Sequence, residues 1–109
     1  MNLIFNKLYK IYKYFKKYDG ETTKAFRRRE KEGFFEKYFK GFGLDIGYGG
    51  IKVVKNCQGV DFEDTDVQYM EGFKDSCYDF VYSSHTLEHL NCVETAILNW
   101  KRLIKKGGY

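Results

Sequence analysis

The chain has 109 residues, 43% of them hydrophobic and 19% aromatic, with no proline and a formal net charge of +4. That length holds one domain with a modest core, and that composition excludes a disordered chain. Three cysteines with no C-x-x-C pair argue against a disulfide scaffold or a cysteine zinc cluster, and no apolar run reaches the ~18 residues of a spanning helix.

The charge is unevenly spread. Residues 1–42 hold 12 lysines and arginines against 5 acids, a net of +7, and residues 43–109 hold 7 against 10, a net of −3. A basic, aromatic leader is therefore joined to a mildly acidic body. The lysines of the leader interrupt any apolar core of a signal peptide, so the protein is expected in the cytoplasm.

Ile4, Leu8, Ile11 and Phe15 recur at spacings of four, three and four, which predicts a helix over residues 2–18 with Lys7, Lys10, Lys13 and Lys17 largely off the apolar face. Two roles fit it: packing over a cleft, which is preferred, and weak contact with an anionic membrane surface. "DGETT" breaks the pattern, and a second helix is expected over about residues 22–39, capped by Thr22 or Thr23 and slightly weakened by Gly33. "FRRRE", residues 26–30, reads as a solvated helix face among acids and not as a nucleic-acid contact.

At "GFGLDIGYGG" the character changes. Leu44-Asp45-Ile46 is short, apolar and bounded by glycine, as a buried parallel strand is. "CQGVD", residues 57–61, reads as a second strand, "DVQYM", residues 66–70, as a brief third, and "YDFVYSS", residues 78–84, as the clearest. The last helix is expected to open on a capping box, Asn91 to Glu94, and to end at Gly107. Its apolar face would be Val93, Ile97, Trp100 and Ile104, with Trp100 in the core.

Open α/β sheets bind ligands outside the carboxyl ends of their strands. Those ends carry Asp45 to Gly50, Asp61, and Ser83 to His85. Glycines let a backbone approach a ligand closely, and an acid can accept hydrogen bonds from an amine or a diol.

"LDIGYGG", "GVD", "DVQYM", "SCYDFVYSSHTLEHL" and "NWKRLIKKGG" stand in the order found in class I S-adenosylmethionine-dependent methyltransferases, and residues 41–109 resemble that group. The resemblance implies an α/β, Rossmann-like, mostly parallel sheet of about four strands, shortened after the fourth strand and its helix; the helical segment over residues 1–40, read from its spacing and charge, precedes it. It implies that Asp45, Gly47 and Gly49 surround the methionine part of S-adenosylmethionine. Asp61 would take the ribose hydroxyls, Asp66 with the backbone of Val67 the adenine, and Ser83 the region of the sulfonium.

His85 or His89 would act as a base where the acceptor must lose a proton, since imidazole exchanges protons near neutral pH. The expected partner is a small-molecule or saccharide-like acceptor, not nucleic acid. A partner chain or second copy is expected to complete the sheet. The alternative is a cofactor-binding remnant without turnover.

His85, Glu88 and His89 also match the H-x-x-E-H zinc-protease spacing. That motif needs one helix to carry all three, and a further ligand. The chain has no other histidine, so zinc is the minor alternative and no metal site is assigned.

Overall fold

The computed structural model describes residues 3–18 and 21–109. They fall into two compact units, Met1–Phe35 and Glu36–Tyr109. The expected break at Asp19 and Gly20 lies outside the described residues, as do Asn2 and the Phe15 side chain.

In the first unit, α1 (Leu3–Tyr18) is the predicted leader helix. The predicted second helix is two: α2 (Glu21–Lys31) and α3 (Phe34–Tyr38). Gly33 does more than weaken it. At φ +71 it turns the chain in a region that side chains disfavour, and the helix is interrupted there. Thr22 and Thr23 lie inside α2 and are not its cap. Phe26 and Phe35, on either side of the turn, meet with ring centroids 5.0 Å apart.

The second unit is built on three parallel strands: β1 (Gly43–Ile46), β2 (Cys57–Val60) and β3 (Phe80–Ser83), in the order β2-β1-β3. Gly43 pairs with Cys57 on one side and with Phe80 on the other. The α/β, parallel character is as expected, but with three strands and not four.

Because β1 is central, all four of its residues are buried. Leu44, Ile46, Val60 and Val81 belong to the face packed against Ala96 and Trp100 of the helix α4 (Val93–Arg102) and against Leu103, which follows it. Phe80 lies on the opposite face and stacks on Phe39 at 4.5 Å; a Cβ on Gly43 would collide with the Phe80 ring, so the bare backbone admits that ring. Beyond α4 the chain returns beside β3: Tyr78 bridges to Ile104, and the Val81 N–H donates to the Tyr109 carbonyl at 2.8 Å.

"DVQYM" is not a strand but a turn, closed by the Tyr69 and Met70 N–H groups on the Asp66 carbonyl. Asp66 Oδ1 accepts the Gln68 N–H at 3.0 Å, a local turn bond that competes with pairing. The carbonyls a strand would offer to a neighbour are taken by α4 side chains. Trp100 Nε1 donates to Val67 at 2.7 Å, and the Arg102 guanidinium donates to Tyr69, Met70 and Phe73 at 3.2, 2.8 and 2.6 Å. Only a planar fork reaches all three. Arg102→Ala is therefore expected to lower unfolding free energy by roughly 2–3 kcal/mol. Arg102→Lys should recover less than half of that in urea denaturation.

α4 differs from expectation in phase and in ends. Val93 and Ile97 are each 45% exposed, whereas Ala96, Trp100 and Leu103 are buried. The capping box is not made: Cys92 is the N-cap, with no side-chain cap bond, and its N–H donates to Gln68 Oε1 at 2.8 Å. The helix stops at Arg102, so Lys105 and Lys106 lie beyond it. Trp100 is core, as expected. Among the described residues, no helix is long and apolar enough to cross a membrane.

Candidate functional site

The order β2-β1-β3 means that the chain leaves β1 to one side for β2 and reaches the other side for β3. The crevice of such a sheet lies where those connections diverge, beyond the carboxyl ends of the strands. Three loops meet there: residues 47–50 after β1, Asp61 after β2, and residues 84–86 after β3.

Side chains and backbone tie these loops together. The Gly47 N–H donates to the Val60 carbonyl at 2.7 Å, and the Gly49 N–H to Asp61 Oδ2 at 3.1 Å. From the other side, Ser83 Oγ and Thr86 Oγ1 donate to the Ile46 carbonyl at 2.8 and 3.2 Å. The stretch from Ile46 to Gly49 is thus held from both sides, Ile46 by the β3 side and Gly47 and Gly49 by the β2 side.

Gly47 has φ +74, and a Cβ there would run into the Thr86 side chain. By contrast, a Cβ on Gly49 or Gly50 would meet nothing within 4 Å. The loop is closed on its inner side and open on its outer side.

Asp45 is 2% exposed. Its Oδ2 accepts the Val53 N–H at 2.8 Å, which folds the connection between β1 and β2 back over the sheet. Asp61 is half-buried at the rim, and its own N–H is held by Asp64 Oδ2 at 2.8 Å. One bond to Gly49 leaves a carboxylate, with about four acceptor positions, able to take more.

Asp66 is exposed, whereas Val67 is fully buried with its carbonyl committed to Trp100. Gly47, Gly49, Asp61 and Ser83 are therefore tied together at the carboxyl edge, and the Asp45 carboxylate ties the same loop further on, at Val53. Asp66 and Val67 bond instead to Gln68, Tyr69, Met70 and Trp100, at the far end of the turn that follows Asp61.

His85 stands two residues past the end of β3. It has φ +57, a left-handed conformation that few residues other than glycine adopt and that clusters at functional sites. Its side chain is 70% exposed, with Nδ1 3.5 Å from Glu88 Oε1, and His89 Nε2 lies 3.8 Å from the same oxygen. The zinc-protease geometry is not built: His85 lies outside any helix, and Leu87–His89 is a single 3₁₀ turn. Among the described residues no group of three histidine, cysteine or acidic side chains is placed to hold a metal.

Thr86 and Tyr48 escaped notice in the sequence. Thr86 is 2% exposed and fills the space that Gly47 leaves. The ring of Tyr48 lies over Gly59 in β2, where a Cβ would come within 2.6 Å of it. The signal for both was the glycine opposite, since a glycine inside a strand or at its end often marks a close approach.

A family model described as "Methyltransferase domain" matches residues 20–109. No curated protein and no solved structure matches the chain.

Proposed function

The chain belongs to the methyltransferase-domain family of S-adenosylmethionine-dependent enzymes, and on that premise we propose that the crevice beyond β1, β2 and β3 binds S-adenosylmethionine for methyl transfer to a small-molecule or saccharide-like acceptor. The observation that carries this is the Gly49 N–H to Asp61 bond, which sets a glycine loop beside an acid at the carboxyl edge of the sheet.

The residues present fit the cofactor. The open outer side of Gly49 and Gly50 admits its methionine portion against bare backbone. Asp61 takes the ribose hydroxyls. Asp66 faces the adenine beside the backbone of Val67, which the bond from Trp100 to its carbonyl holds in place. Asp45 is a positioning residue that acts through Val53 and the fold of the loop. Ser83, fixed to Ile46, borders the sulfonium.

S-adenosylmethionine supplies an activated methyl group, and the work left to this chain is alignment and exclusion of water. His85, held at the mouth beside Glu88, accepts the acceptor's proton where one must leave; His89 shares the same carboxylate and is the second candidate base.

A second reading is cofactor binding without turnover by this three-stranded sheet alone, with β3 as the strand whose edge another segment would pair. A partner chain or second copy completing that edge would restore activity under this reading.

Transfer of labelled methyl from S-adenosylmethionine to a panel of sugar and small-molecule acceptors tests turnover. Asp61→Ala is expected to weaken cofactor affinity by roughly tenfold to a hundredfold, the worth of one or two hydrogen bonds to a charged group. Because Asp61 is at the rim, its fold should be kept. Unchanged affinity in Asp61→Ala would put the ribose elsewhere.

A further inference from the structure

We propose that α1 is a surface anchor that lies flat on anionic lipid bilayers. The inference is independent of the methyltransferase site and rests on α1 alone.

Leu3, Ile4, Phe5, Leu8, Tyr9, Ile11 and Tyr12 are all exposed, Ile4 by 67% and Leu8 by 59%. Ile4, Leu8 and Ile11 make the centre of one face, and Phe5, Tyr9 and Tyr12 form its edge. Phe5 and Tyr9 stack at 6.4 Å, as do Tyr9 and Tyr12. Lys7, Lys10 and Lys13 occupy the other half of the helix, and no acid stands among residues 1–18.

Three features select the occupant. The apolar surface covers about half the helix circumference, wider than the two-position seam of a coiled coil, so a second copy is a poor fit. Its border is aromatic, and tyrosine places an apolar ring and a polar tip at a headgroup boundary. Lys13 Nζ lies 5.4 Å from the Tyr9 ring centroid, which puts a cation at that border. A polar half that carries Lys7, Lys10 and Lys13 with Asn6 and no acid is complementary to anionic headgroups, not to neutral ones. The helix has 16 residues, about 24 Å of length. A bilayer core is ~30 Å thick, so α1 rests on the surface and does not span it.

The test is co-sedimentation of the full chain with vesicles of phosphatidylglycerol mixed with phosphatidylcholine, and with phosphatidylcholine alone. The protein is expected to pellet with the first and not the second. Raising salt from ~0.1 M to ~1 M shortens the screening length from ~10 Å to ~3 Å and should release it.

Each lysine at an anionic surface is worth about fivefold in affinity, so Lys7→Gln/Lys10→Gln/Lys13→Gln should lose on the order of a hundredfold. Those changes keep good helix formers. Leu8→Asp/Ile11→Asp should abolish binding. Equal binding to both vesicles, unchanged binding by the triple variant, or no binding to either vesicle overturns the proposal. So does a dimer seen without lipid that Leu8→Asp/Ile11→Asp dissociates.

Discussion

Trp100→Ala is expected to unfold most of the Glu36–Tyr109 unit at room temperature. The side chain is 6% exposed, packs with Leu44, Ile46, Val67 and Met70, and donates from Nε1 to the Val67 carbonyl. Removing a buried tryptophan costs about 3–5 kcal/mol. Leaving a buried carbonyl without its donor adds about 1–3 kcal/mol. A small domain is held by only ~5–10 kcal/mol in total. Trp100→Phe separates the two contributions: it keeps most of the packing and loses the donor, so it should cost about 1–3 kcal/mol. Urea denaturation followed by far-UV circular dichroism reads both. Equal losses in the two variants would show that packing contributes little and the hydrogen bond nearly everything.

Gly47→Ala carries the second large effect, and it acts on stability and cofactor affinity together. The residue has φ +74, which costs a side chain about 1–2 kcal/mol. Its new Cβ would also overlap the Thr86 hydroxyl, and Thr86 Cβ and Cγ2 lie within 3.1 and 3.2 Å of that position. Thr86 can retreat only by giving up its bond to the Ile46 carbonyl. The combined loss is expected at roughly 2–4 kcal/mol.

Thr86→Ala removes the overlapping atom, so the double variant Gly47→Ala/Thr86→Ala should be more stable than the sum of the single losses predicts. That double-mutant cycle isolates the contact. Gly49→Ala has the same backbone strain without the collision, since its Cβ would meet open space. It should lose only about 1–2 kcal/mol of stability. Strict additivity in the Gly47–Thr86 cycle would mean that the loop shifts away and that the contact does not shape it.

The parts of the site that could be read from sequence are those written locally. Leu44-Asp45-Ile46 before a glycine run, Val60 before Asp61, and "DFVYSS" each carry a strand and its end within a few residues. Their order along the chain was enough for the parallel sheet and for the edge where Asp61 and Gly49 meet. The turn over residues 66–70 was not legible, because what keeps it from pairing is supplied by Trp100 and Arg102, about thirty residues away in sequence.

α4 shows a different limit. Period alone cannot set phase, and Val93-Ile97-Trp100 fits a helical face as well as Ala96-Trp100-Leu103. The sheet chose the second, in which the small Ala96 lets the helix approach. Asp45 was expected to help surround the methionine. Its carboxylate also accepts the Val53 N–H and so fixes the loop, a long-range bond that no local pattern announces. The two histidines drew attention to "HTLEH", yet the buried member of that stretch is the threonine between them.

The central claim is that three loops at the carboxyl edge of this sheet form a site for S-adenosylmethionine. Calorimetric titration of the folded full chain with S-adenosylmethionine, and with its demethylated product, tests it most directly. The account predicts saturable binding of both at one site per chain, weakened in Asp61→Ala. A chain with native circular dichroism that takes up neither compound would contradict it.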